Sequence, residues 1–203
     1  MPPPLCPVPF SPPLLFFFLL LVFLSLHQRL ASSSPNSSPN LSRSDYNYGF
    51  SLSTFSPKGR LLQVDLASKS TSYSDPTVAY VTEGGLVTMM APNTLPTVLA
   101  TRRLHPKISQ LTKTVSMSYA GISADFRLLR VQVTRDINEW SRRYNRTPPV
   151  NTVAYFVARV MQEYTVKPGV RPLGLAVVVG GEGRLFRIGA GGDVVEVEGA
   201  VVV

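Results

Sequence analysis

The sequence predicts an α+β fold, and three features of the 203-residue chain carry that reading. Two helical stripes follow one another with a proline pair between them: Phe126, Leu129, Val133, Ile137, Trp140 and Tyr144, then Val153, Phe156, Val157, Val160, Met161 and Tyr164. Strand patterns flank the helices, alternating over 114–119 and continuously apolar over 173–179. Glycine turns punctuate those strands at Glu83-Gly84-Gly85, Gly180-Gly181-Glu182-Gly183 and Gly189–Gly192. Two apolar helix faces pointing the same way need a sheet beneath them.

The totals narrow the function classes. The length suits one domain with a modest core. Cys6 is the single cysteine, so an internal disulfide is excluded. His27 and His105 are too few and too far apart for a zinc cluster, and neither a metal site nor a cofactor is expected. A net charge of +8 favours acidic partners, but the arginines are dispersed and no basic run is interleaved with aromatics. The charge therefore reads as solvated faces and ion pairs to neighbouring subunits, and no nucleic-acid binding is expected.

In chain order, residues 1–13 are proline-rich, and no fold is expected there. Leu14–Leu26 holds thirteen residues without a charge, short for a membrane span and about right for the apolar part of a signal peptide. Arg29 follows that run and no Lys or Arg precedes it, the reverse of the usual signal order. Residues 32–44 form a Ser/Asn/Pro linker. Residues 1–44 are thus an extension, read as a signal-like segment or a mis-assigned start, and 45–203 are the domain. Sequons at Asn36, Asn40 and Asn145 matter only if the chain is secreted.

Within the domain, Ser56-Pro57-Lys58-Gly59 is a turn in which Pro presets φ and Gly takes the left-handed position. Leu61, Leu62, Val64 and Leu66 give a short helix with one broad apolar face. Ser68–Pro76 is polar and reads as a loop. Thr77–Met90 is a hairpin around Gly84-Gly85. Ala91–Pro106 is a loop with a short extended piece at Thr97–Thr101. The strand at 114–119 is expected to break at Ala120-Gly121. Ser123 is expected to N-cap the first long helix, with Asp125 favourable in its first turn. Arg146-Thr147-Pro148-Pro149 ends it, and a second helix spans about Thr152–Tyr164. Leu173–Val179 is a central strand, Arg184–Ile188 the next, and the valines of Asp193–Val203 are strand formers.

Several of these blocks resemble proteasome α subunits. Ser56, Pro57, Gly59, Leu61, Gln63, Val64 and Ala67 match the N-terminal signature of that family, with Asp65 standing for Glu and Leu66 for Tyr. Tyr48-Gly49-Phe50-Ser51-Leu52 resembles the lead of the α2 branch. Tyr119-Ala120-Gly121, Val160–Thr165 and Val170-Arg171-Pro172-Leu173-Gly174 are further matches. The resemblance spans roughly Tyr46–Val203, the front part of the family domain. It implies a four-layer αββα sandwich of the N-terminal nucleophile hydrolase type, incomplete at the C-terminus, with one helical layer missing and apolar sheet surface left to a partner.

The resemblance also implies a function. The chain is expected to be a non-catalytic subunit of the core particle, serving ring assembly, gating and activator docking in ubiquitin-dependent protein degradation. Its partners would be other α subunits in a heptameric ring, the β-subunit ring, and activators or the regulatory particle. Its place would be cytoplasm and nucleus. Tyr48 and Pro57 take the gate positions, and Leu66 lacks the hydroxyl a second gate tyrosine would bring. Lys107 takes the position of the lysine that pairs with an activator's C-terminal carboxylate. On the residues alone, Tyr48 is equally an aromatic anchor and Lys107 an ordinary solvated lysine. No catalytic residue is expected. A threonine hydrolase would need Thr77 as a freed N-terminus, but it follows Pro76 and a helix-bearing segment. A secreted or organelle-targeted binding protein is the remaining alternative, with membrane contact only through residues 14–26.

Overall fold

The structure is a computed structural model, and it describes residues 51–92 and 106–202. Three helices and eight strands are seen among them: α1 (Leu62–Thr71), β1 (Thr77–Val81), β2 (Val87–Met90), β3 (Ile108–Gln110), β4 (Val115–Gly121), α2 (Ser123–Tyr144), α3 (Val150–Val166), β5 (Leu175–Gly181), β6 (Arg184–Ile188), β7 (Val194–Val197) and β8 (Gly199–Val202). The expected extended piece at Thr97–Thr101 lies outside the described residues, as does Tyr48. No helix among the described residues is long and apolar enough to cross a membrane.

The strands form two antiparallel sheets, one in the order β3-β4-β5-β6-β7 and the other β2-β1-β8. Alternation along each strand assigns its two faces. Val115, Met117 and Tyr119 of β4 and Leu175, Val177 and Val179 of β5 join Phe126, Leu129, Val133 and Ile137 of α2 and Val153, Val157 and Met161 of α3 in the main core. Ala120, Ala176, Val178 and Leu185 face the other way and meet Ala79 and Ala200 between the sheets. The small residues on that inner face let the sheets approach closely. The expected α+β class is thus observed as three layers: helix pair, five-stranded sheet, three-stranded sheet. A fourth, helical layer is not among the described elements.

Both long helices form where the stripes place them, but their starts differ from expectation. The carbonyl of Ile122 accepts the Phe126 N–H at 3.2 Å, so the helix begins one residue earlier and Ser123 is its first residue rather than its cap. Asp125 lies in that first turn as expected. Asn145 ends α2 in the left-handed region at φ 51°, a conformation Asn tolerates better than most residues. No side-chain cap of its own serves α3. Instead Glu182 reaches across from the β5–β6 hairpin, and its Oε2 accepts the Val150 N–H at 3.4 Å, satisfying one of the open donors of that helix end.

Three local expectations are corrected and a fourth is refined. The first helix continues through Ser68–Thr71, because Ser70 and Thr71 hydroxyls turn back onto the carbonyls of Ala67 and Ser68 instead of breaking the turn. β4 does not break at Ala120-Gly121, since Gly121 still pairs with Leu175. Gly180 and Gly181 belong to β5, and the turn is Glu182-Gly183, both at positive φ as a two-residue hairpin requires. The valine-rich end is two strands, with β7 completing the larger sheet and β8 crossing to pair with β1. β3 had no sequence signal.

Candidate functional site

The Ser56–Gly59 turn precedes α1 as the sequence expected. The Gly59 N–H donates to the Ser56 carbonyl at 2.8 Å and the Ser56 N–H to the Arg60 carbonyl at 2.9 Å. Gly59 sits at φ 74°. The Ser56 side chain is buried and its Oγ accepts the Arg60 N–H at 3.2 Å, which leaves Pro57 exposed on the rim of the turn. From there α1 packs on the ends of β4 and β5. Gly174 has no side chain where Ser70 and Ile122 press in, so a Cβ would meet the Ser70 Oγ at 2.5 Å. Leu66 is 42% exposed. Leu66 thus presents an apolar side chain, and no hydroxyl, on the exposed side of α1.

Lys107 stands at the head of β3, a separate place from Pro57. Its ammonium donates to the Asp75 carbonyl at 2.5 Å and lies 5.6 Å from the centre of the Tyr119 ring. Burial lowers the Lys107 pKa below its ordinary 10.5, and the Asp75 charge partly opposes the shift. Tyr119 stacks on Phe126 with ring centres 4.0 Å apart. Its phenol is held above its ordinary pKa, chiefly by burial, with Arg127 pulling it down and Asp75 pushing it further up. On the backbone side, the Lys107 carbonyl accepts the Ser118 hydroxyl at 3.0 Å. Lys107 is therefore tied at both ends, which distinguishes it from a freely solvated surface lysine.

Thr77 completes this corner and is fully buried. Its Oγ1 donates to the Tyr119 carbonyl at 2.9 Å. The Ser118 hydroxyl also lies 3.3 Å from it, but that hydroxyl has one proton and the shorter contact to Lys107 takes it. The Thr77 nitrogen is bonded to Pro76, so in this chain it is no free α-amine, and its hydroxyl is committed to a carbonyl. Asp75, Ser118 and Tyr119 gather here although the sequence did not point to them as a group. The signal lay in the β3–β4 register, Ile108 opposite Ser118, which a three-residue strand does not advertise. Among the described residues no group of three or more His, Cys, Asp or Glu stands close enough to hold a metal ion.

A helix pair on a five-stranded sheet, with a second sheet beneath, agrees with what comparison of the sequence establishes. The family described as proteasome subunit matches residues 71–203, and the chain belongs to that family. Within it, the chain is similar to proteasome subunit alpha type-2 of Caenorhabditis elegans, 34% identical over 134 residues that cover 66% of this chain and 56% of the relative. It is 33% identical over 137 residues to the alpha type-2 subunit of Oryza sativa subsp. indica and 31% identical over 145 residues to that of Dictyostelium discoideum, each alignment covering 68% of this chain and 58% of the relative. The chain thus spans a little over half the length of these curated relatives.

Proposed function

We propose that the chain is a non-catalytic α-ring subunit of the proteasome core particle, of the α2 type. The observation that carries this is the similarity to alpha type-2 subunits over two thirds of the chain. The bound, mid-chain state of Thr77 supports the non-catalytic part. In this reading residues 45–203 are the front of the family domain and residues 1–44 an extension. The four-layer sandwich is the parent fold. A helical layer would lie on the outer face of the three-stranded sheet, where alternation against the inward Ala79 points Val78 and Tyr80 and where Met90 is 36% exposed.

The chain's partners are other α subunits in a heptameric ring, the β-subunit ring, and activators or the regulatory particle. Its work is ring assembly, gating and docking in ubiquitin-dependent protein degradation, in cytoplasm and nucleus. Tyr48 and Pro57 serve the gate, and Lys107 receives the C-terminal carboxylate of an activator. The fixed position of the Lys107 ammonium on the Tyr119 face supports that last role. The test is native co-purification of an epitope-tagged chain expressed from its own locus, followed by mass spectrometry. Recovery of six other α subunits is expected. Recovery of a lone chain, or of a glycosylated species from the secretory pathway, overturns the reading and favours a secreted binding protein.

A further inference from the structure

The β1–β2 and β5–β6 hairpins meet at their tips, where a Cβ on Gly183 would lie 3.3 Å from the Gly85 carbonyl oxygen. Beside that meeting point is a cleft of about 420 Å³, lined from both sheets. Its apolar lining is Leu86, Val87, Met89 and Ile108. Gly180 lets the first hairpin pack down onto β5, since a Cβ there would meet the Val87 Cγ1 at 2.6 Å and the Met89 Cε at 2.7 Å. The cleft opens to solvent, with Leu86 67% and Ile108 39% exposed. Glu182 is the one charged residue in the lining, and Thr114 and Ser116 add two hydroxyls.

We propose that this cleft receives an arginine side chain flanked by apolar residues, presented by a segment of a partner protein. The Glu182 carboxylate is loosely held. The Thr114 hydroxyl donates to its Oε1 and the Val150 N–H to its Oε2, each at 3.4 Å, long for bonds to a carboxylate. Those two bonds leave lone pairs open. Among the described residues no cation pairs with Glu182, whereas Asp125, Asp136 and Glu196 each hold an arginine. Its backbone position is also costly: Glu182 has φ 53° in a two-residue turn that favours Asn, Asp or Gly. A guanidinium fits what converges here. Its fork matches a carboxylate, its other N–H groups can donate to the Thr114 and Ser116 hydroxyls, and its stem can lie on the apolar wall.

The test is a methyl NMR titration of the full chain, labelled at Ile, Leu, Val and Met methyls. Three probes are compared: acetyl-Val-Arg-Val-amide, the same peptide with citrulline for arginine, and acetyl-Val-Leu-Val-amide. The arginine peptide should shift the methyls of Leu86, Val87, Met89 and Ile108. Citrulline keeps the shape without the charge and should bind about fivefold more weakly, as for a charge pair at an exposed rim. Glu182→Gln keeps an acceptor for the Val150 N–H. It should bring the arginine peptide down to the citrulline level and leave the citrulline peptide unchanged. Leu86→Ala should weaken both alike. Absent shifts, or equal affinity for arginine and citrulline, overturn the proposal, and that comparison on the unaltered chain needs no variant to fold. Equal binding of the leucine peptide, which marks a purely apolar occupant, overturns it too. So do the same shifts on raising the chain concentration without peptide, which mark a second copy of the chain.

Discussion

Asp125 in the first turn of α2 is gripped by Arg171 in the loop that enters β5, through two hydrogen bonds of 2.7 and 2.8 Å. The same carboxylate accepts the buried Gly174 N–H at 3.1 Å. One side chain thereby fixes where the long helix starts relative to the central strand. The Arg171 pKa is raised, first by its hydrogen bond to Asp125.

The two partners should not be equivalent on truncation. Asp125→Ala leaves the Gly174 N–H without an acceptor in a buried place and is expected to cost about 2–3 kcal/mol. Arg171→Ala is expected to cost about 1 kcal/mol or less, because the Arg171 side chain is 59% exposed and water replaces it at the carboxylate. Urea unfolding of both variants measures the difference, and equal losses would refute the asymmetry.

Lys107 should give the fold a pH signature at the alkaline end. Its folded pKa lies below the ordinary 10.5 because of burial, so the unfolded chain binds that proton more tightly. The resulting penalty is fully present below the folded pKa and is relieved as pH rises from that value through 10.5. Wild-type stability relative to Lys107→Met should therefore climb between neutral pH and about pH 10.5. Thermal melts of both proteins across that range check the sign, and a flat or falling difference removes the argument.

The Thr77 hydroxyl should be structural. Thr77→Val keeps the shape but leaves the Tyr119 carbonyl without its side-chain donor, and about 1 kcal/mol of stability should go. Any peptidase activity measured in the same preparation should be unchanged. A loss of that activity at unchanged stability would restore the hydrolase reading.

Two glycines should respond differently to alanine. Gly121 has φ 126°, and a Cβ there would fall on the carbonyl oxygen of Gly174, well inside van der Waals contact. Gly85 also has a positive φ, 73°, but nothing lies within 4 Å of its missing Cβ. Gly121→Ala should cost about 3 kcal/mol or more through clash and strain together, and Gly85→Ala about 1 kcal/mol through strain alone. Denaturation midpoints of the pair separate the two contributions.

The helices were legible because each stripe is long. Phe126, Leu129, Val133 and Ile137 repeat over about three turns, and all four are buried. The stripe overreaches only at its end, where Tyr144 is 53% exposed beyond the edge of the sheet. Short elements were not legible. β3 has three residues, one of them buried, which is too few for a period to show. The division of the valine-rich end into β7 and β8 was invisible for another reason: both halves are strand formers, and the difference between them is the sheet each one joins.

The candidate site divides in the same way. The Ser56–Gly59 turn and Lys107 could be named from local wording, because a turn is made by neighbouring residues and a family motif is read along the chain. The grouping of Lys107 with Asp75, Ser118 and Tyr119 could not, because it depends on the β3–β4 register and on how the segment before β1 lies against that edge.

The sequence by itself determined the α+β class, the helix hairpin, the turns at Gly84-Gly85 and Gly189–Gly192 and the family, since each is encoded in periodicity or in contiguous residue types. The tertiary structure alone decided which sheet each strand joins, which acceptor caps α3, and which groups share the Lys107 corner. Those outcomes depend on contacts between residues far apart in the chain, as from Thr77 of β1 to Val202 of β8. Local propensity is the same whether or not such contacts form, and only burial and hydrogen-bond satisfaction in the folded chain select among them.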